Sequence, residues 1–211
     1  MAVNRQRIEQ LTRELLEAIG EDPERPGLKQ TPARMAELYA EFFAGVGEDP
    51  AVALERTISV SRGPAPETLP SGAVLLRNVR FRSVCEHHLL PFAGHAHIAY
   101  LPGEQVVGLG ALVRVVETLA TRPQVQERLG EQIADTIAEH LDTTGVLVVL
   151  DAVHGCVTMR GGRQLDASTV TMAARGAYTD PAQRAELIAL IGGLAGGISD
   201  ASAPGTGSET R

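Results

Sequence analysis

The sequence predicts an α+β fold: an antiparallel four-stranded sheet carrying two central helices, preceded by a helical N-terminal arm. Three observations lead there. Hydrophobic periodicity in the middle of the chain runs strand-strand-helix-helix-strand-strand. The first stretch of the chain repeats its apolar residues at helical spacing instead. At 211 residues and 44% hydrophobic composition, the chain is long and apolar enough to bury one core, so it reads as one domain with appendages. The expected divisions are an arm over 1–56, a main domain over 57–191 and a disordered tail over 192–211.

In chain order, Ile8, Leu11, Leu15, Leu16 and Ile19 mark a first helix, broken by the Asp22-Pro23 to Pro26-Gly27 segment. A second helix is expected at Thr31-Pro32, with Thr31 as its cap and Pro32 at a first-turn position that needs no hydrogen-bond donor. Met35, Leu38, Tyr39, Phe42 and Phe43 form its apolar stripe. Ser61 to Gly72, rich in proline and glycine, reads as a loop. Val74 to Val84 and His95 to Leu101 read as strands separated by the sequence Cys85 to Phe92. Leu109 to Ala120 and Gln124 to Leu141 read as helices, the second closed by Gly145. Val146 to Leu150 is an apolar run of strand length leading to His154 and Cys156. Residues two apart on a strand share a face, so these two side chains are expected to point the same way. Ser168 to Met172 reads as a last strand and Pro181 to Ile191 as a short helix.

A net charge of −7 argues against a nucleic-acid-binding face, which needs basic residues to hold phosphates. No apolar run reaches membrane-spanning length, and Met1 to Arg5 lacks the apolar segment of a secretory signal. The expectation is a soluble, cytoplasmic protein with neither nucleic acid nor membrane as partner.

The stretch Cys85-Glu86-His87-His88 carries the chemistry. Cys-x-x-His suits tetrahedral zinc, which takes thiolate sulfur and imidazole nitrogen at roughly 2.0–2.3 Å. Cys156, the second of the two cysteines, offers a third ligand; Cys85, His88 and Cys156 would leave a fourth position for water, as in a catalytic zinc site. His87 and His154 are then imidazoles available for proton transfer. Ordinary buried thiols and surface histidines are the competing reading of the same residues. A disulfide is disfavoured in a chain with two cysteines, no secretory signal and length enough for a core.

The motifs resemble the GTP cyclohydrolase I family. That family carries a Cys-Glu-His-His-Leu-Leu-Pro-Phe stretch, here Cys85 to Phe92, and a Tyr-x-Pro turn with Gly-Leu after it, here Tyr100 to Pro102 and Gly108-Leu109. Arg122 to Leu129 matches its Arg-Pro-Gln-Val-Gln-Glu-Arg-Leu segment, His154, Cys156, Arg160 and Gly161 its His-x-Cys with Arg-Gly beyond, and Thr31 to Arg34 its Thr-Pro-x-Arg. The resemblance spans about residues 8–190. It implies a tunnelling fold (T-fold), a homodecamer with sites at subunit interfaces, and Zn2+ held by Cys85, His88 and Cys156. The implied reaction opens the guanine imidazole ring of GTP at C8, releases formate and goes on to 7,8-dihydroneopterin triphosphate. By the same resemblance His87 protonates the purine ring, His154 is a general acid/base near the ribose, and Glu127 with Gln126 reads the guanine edge. Otherwise Glu127 would pass for a solvated helix residue.

Two departures touch the implied phosphate pocket. After Gly-Leu the family has Ser-Lys; here stand Gly110 and Ala111, with Arg114 in place. After Thr-Pro-x-Arg it has Val-Ala-Lys; here stand Met35, Ala36 and Glu37. Arg34, Arg114 and Arg160 still match phosphate-binding positions. Losing two charged hydrogen bonds costs about 3–6 kcal/mol, roughly two to four decades of affinity. The sequence therefore admits a guanine nucleotide or nucleoside with fewer phosphates, or a reaction that stops at the ring-opened pyrimidine. A non-catalytic homologue that binds a purine or pterin, and a purely structural zinc site, are the readings of other classes.

Overall fold

The computed structural model describes residues 3–59, 72–159 and 164–193. The expected loop over Ser61 to Gly72 (except Gly72 itself), Arg160 with Gly161, and the tail beyond Gly193 lie outside those residues.

Helix α1 (Arg5–Ala18) starts at Asn4, whose side chain caps Arg7 N–H at 2.9 Å. It ends before the Asp22-Pro23 segment expected to break it. Gly20, at φ +87°, lets its own N–H reach Glu17 O and that of Glu21 reach Leu16 O, a Schellman closure. Helix α2 (Thr31–Phe42) begins one residue earlier than expected. Thr31 is already helical and the cap position belongs to Gln30, whose side chain instead accepts from Arg34 at 2.8 Å. The arm is tied down at its C-terminal end. Arg82 pairs with Glu41 at 2.9 Å and lies over the Phe42 ring, while Arg122 donates to Gly45 O and Glu48 O.

A 3-10 turn at Pro50–Leu54 leads to β1 (Thr57–Ser59), which pairs with β4 (Gln105–Val107). The main sheet holds β2 (Val74–Cys85), β3 (Pro91–Pro102), β6 (Thr143–His154) and β7 (Thr169–Gly176), all antiparallel neighbours in that order. The two-residue β5 (Pro123–Gln124) adds a short parallel rung beside the end of β2, a fifth strand that the sequence had not signalled. Helices α3 (Leu109–Ala120) and α4 (Gln126–His140) cover one face. Ile98, Tyr100, Val148 and Leu150 of the strands meet Leu112, Val116, Leu129, Ile133 and Ile137 there in one buried cluster. The opposite face buries Ala99, Leu101, Leu147 and Val149 with Tyr178 and Leu187, the last from α6 (Pro181–Gly193).

The strands run longer than their apolar runs. β3 begins at Pro91 because Gly94 allows β6 to approach: a Cβ there would fall 1.9 Å from Asp151 O. Gly145 does not close α4, which ends at His140 with Leu141 as cap. It lies inside β6, opposite Leu101 and Gly176.

Candidate metal centre and active site

The chain between β2 and β3 is a tight loop. Cys85 N–H donates to Leu90 O at 2.9 Å, Leu89 N–H donates to Cys85 O at 2.8 Å, and Leu89 takes φ +51° to close the turn. The turn brings His88 back toward Cys85, so that Sγ and His88 Nδ1 are 3.9 Å apart. His87 Nδ1 also lies 3.9 Å from that sulfur, on an exposed side chain.

Cys156 arrives by a different route from the one its spacing suggests. β6 stops at His154, and Cys156 sits in the one-turn helix α5 (Gly155–Thr158) rather than two places along a strand. Gly155 permits the fold-over, since a Cβ there would stand 2.8 Å from Pro91 O, at the start of β3. One ligand atom from each of Cys85, His88 and Cys156 then falls within 4.8 Å of the others. Tetrahedral bonds of 2.0–2.3 Å place ligand atoms roughly 3.3–3.8 Å apart. Two thiols and an imidazole at these separations fit such an ion with a small contraction, and they leave a fourth position open.

His154 ends β6 on the helix-covered face, directly across from Phe92 on β3. The two rings stack with centroids 4.5 Å apart and 5° between planes. His154 Nε2 and Gln126 Oε1 are 2.7 Å apart. Burial holds the imidazole below its usual pKa, and the Glu127 carboxylate offsets part of that shift, which puts Glu127 within electrostatic reach of His154.

The first turn of α4 reaches this end of the sheet because Glu86 N–H donates to Gln124 O at 3.0 Å, joining the metal loop to β5. Arg128 then pairs with Glu86 at 2.6 Å. Glu127, between them in sequence, is exposed, as a residue that meets a ligand must be before binding. Gln126 is not. It is 1% exposed, and its Nε2 faces Leu150 O, Thr169 O and Thr171 Oγ1. Its amide is hydrogen-bonded inside the protein, whereas the Glu127 side chain beside it is exposed.

Of the three arginines, Arg114 is exposed on α3, Arg160 is outside the described residues, and Arg34 bonds Gln30 on its own helix. Glu41 and Phe42, which meet Arg82 of β2, lie two turns away from Arg34 on α2. Sequence reading missed Phe92 as the bed of His154 and the Glu86–Arg128 pair. Both residues of the first pair lay within quoted motifs, but only the β3–β6 register joins them.

Fold and site define a class: a T-fold protein with a Cys-His-Cys candidate metal centre where β2 and β6 end and β3 begins. A family model described as GTP cyclohydrolase I matches residues 8–192. GTP cyclohydrolase 1 of Leifsonia xyli subsp. xyli is 61% identical over 189 residues, 90% of this chain and 96% of that protein. The GTP cyclohydrolase 1 of Bacillus subtilis is 50% identical over 188 residues, 88% of this chain and 95% of its own. That of Corynebacterium glutamicum is 51% identical over 184 residues, 86% and 90% respectively. The chain belongs to the GTP cyclohydrolase I family.

Proposed function

We propose that this protein is a zinc-dependent hydrolase that opens the imidazole ring of a guanine nucleotide at C8, releases formate and, with GTP, proceeds to 7,8-dihydroneopterin triphosphate. The observation that carries the reading is the convergence of Cys85, His88 and Cys156 beside His154, in a chain 61% identical to a GTP cyclohydrolase 1. Zinc, when bound by those three side chains, supplies Lewis acidity toward water and the purine. His87, exposed beside the metal loop, gives a proton to N7 of the purine as the ring opens. His154, fixed against Phe92, exchanges protons nearer the ribose. Glu127 accepts the N1 and 2-amino protons of guanine; adenine offers no such pair. Arg114, Arg160 and Arg34 are the candidates for binding the phosphates.

Assembly into a homodecamer is part of this reading. Leu11 and Leu15 of α1 and its capping residue Ile19 form a stripe 44–65% exposed, and β7 ends the sheet with its outer edge unpaired among the described residues. Two cysteines outside any disulfide and placed together for a metal suit a reducing, cytoplasmic setting.

One observation favours a second reading of the substrate. Ala111 is 5% exposed within the core and Gly110 borders open space, so the start of α3 offers no side-chain cation ahead of Arg114. Glu37 is exposed on α2. A guanine compound with fewer phosphates, or arrest at the ring-opened pyrimidine, fits that thinning.

Formate release by zinc-loaded protein given GTP, GDP, GMP and guanosine, with mass spectrometry of each product, tests both readings. Preference for GTP with a dihydropterin triphosphate product supports the first. Preference for a less phosphorylated substrate, or a pyrimidine product, supports the second. Binding of a purine without formate overturns both in favour of a non-catalytic homologue.

A further inference from the structure

We propose that Gln126 is a positioning residue that locks the ring of His154 and leaves Nδ1 as the nitrogen His154 offers to substrate. The inference deepens the ring-opening reading and rests on it for the role of His154, though the geometry stands by itself.

The amide orientation follows from its donors. The two hydrogens on Gln126 Nε2 face Leu150 O at 3.1 Å and Thr169 O at 2.7 Å, with Thr171 Oγ1 at 3.2 Å. Carbonyl oxygens only accept, so a flipped amide would set Oε1 against two acceptors in a site 1% exposed to solvent. Oε1 must therefore face His154, 2.7 Å from Nε2, and accept. A neutral imidazole has one N–H, which this bond places on Nε2, leaving the Nδ1 lone pair free. Phe92, parallel to the ring at 4.5 Å, fixes its plane, and the Gln126 bond fixes rotation within that plane.

The anchor is rigid because Leu150 belongs to β6, and Thr169 and Thr171 to β7. Successive residues of a helix point about 100° apart. In the first turn of α4, Gln126 enters the sheet, Arg128 grips Glu86 of the metal loop, and Glu127 between them stays exposed. Glu127 binds substrate; Gln126 acts on turnover through His154.

The test compares full-length, zinc-loaded wild-type protein with Gln126→Met, which keeps length and loses the amide, with His154→Ala, and with the double variant. Gln126→Met is expected to lower kcat about 10- to 100-fold with KM within threefold and zinc content unchanged. The double variant is expected to be no slower than His154→Ala, since the two residues act as one unit. Additive losses, a kcat within threefold of wild type, or a tenfold rise in KM with kcat intact would overturn the proposal. Crystal structures of Gln126→Met and wild type give a readout independent of turnover. A rotated His154 ring supports positioning even if the wild type releases no formate, an outcome that sinks the ring-opening reading alone. An unmoved ring overturns the positioning role in either case.

Discussion

The imidazole of His154 lies flat on the ring of Phe92, 4.5 Å between centroids and 5° from parallel, across the β3–β6 register. Phe92 is 1% exposed and belongs to the main core, so one side chain packs the fold and also sets the plane of a candidate catalytic group. Replacing Phe92 by Leu keeps an apolar side chain of similar reach while removing the flat contact. We expect a stability loss of about 1–2 kcal/mol in urea unfolding, from imperfect refilling. We also expect a larger proportional loss of kcat, about tenfold, at full metal content. Unchanged kcat would show that the stack is packing alone.

Removing a metal ligand has a different signature. Cys156→Ala leaves Cys85 and His88 in their hydrogen-bonded loop, and α5 keeps its place because Gly155, not Cys156, permits its approach to Pro91. The variant should fold, bind zinc at least a hundredfold more weakly and lose measurable turnover; a chelator should do the same to the parent, reversibly on adding zinc. Metal content by elemental analysis and circular dichroism check both halves. A variant with full metal and activity would remove Cys156 from the site. Retained turnover in zinc-replete His87→Ala and His154→Ala proteins would instead favour a structural metal.

Arg175 joins β7 to α4. Its guanidinium donates to Asp135 at 2.6 Å and also meets Glu131, and the two carboxylates hold it well above the ordinary arginine range. Arg175→Leu would leave two like charges facing an apolar side chain. The group is partly exposed, so solvent screens much of the interaction. An equilibrium destabilisation of about 1–2 kcal/mol is expected, shrinking for the wild type in molar salt. An effect below about 0.5 kcal/mol, the scatter of independent surface changes, would show the pairs contribute nothing.

His97 lies on the face of the sheet opposite α3 and α4, 9% exposed, with Nδ1 lacking a hydrogen-bond partner among the described residues. It lines a cavity of about 440 Å³ with Arg77, His95 and Asp151. Burial lowers its pKa first, then the nearby His95 and Arg77, with Asp151 opposing them. A histidine depressed in the folded state binds its proton more readily when unfolded. Its penalty is absent above the unfolded value near 6.5 and grows as pH falls toward the folded value, by at most about 1.4 kcal/mol per pH unit. Thermal or urea midpoints measured from pH 7.5 to 5 should fall less steeply for His97→Gln than for wild type. Parallel curves would mean His97 titrates normally.

Much of the site was legible in the sequence because its chemistry lies in residue type and spacing. Cys85, His88 and Cys156 were identified from a Cys-x-x-His and the second cysteine, and the structure brings their ligand atoms within 4.8 Å. α3 matches its apolar periodicity residue for residue, since Leu112, Val115, Val116 and Leu119 all face one core. Periodicity fails where the backbone, not the side chain, decides. β3 runs back through Gly94 to Pro91 because β6 needs the empty space, and Gly145 serves a strand crossing, although its position after a helix looks like a stop.

What the sequence determined by itself was the inventory: the candidate metal-ligand residue types, the helical arm, the order of strands and helices, and the absence of lysine at Ala111 and Glu37. Tertiary structure alone decided the pairings. Gln126 could not be separated from Glu127 by spacing, because which of two neighbours enters the sheet depends on how α4 docks against β6 and β7. Cys156 joins Cys85 through a one-turn helix that local pattern read as strand, and Phe92 meets His154 only through a strand register. Periodicity is a property of one segment with its own neighbours; contact across segments is set by the closest packing of the whole core.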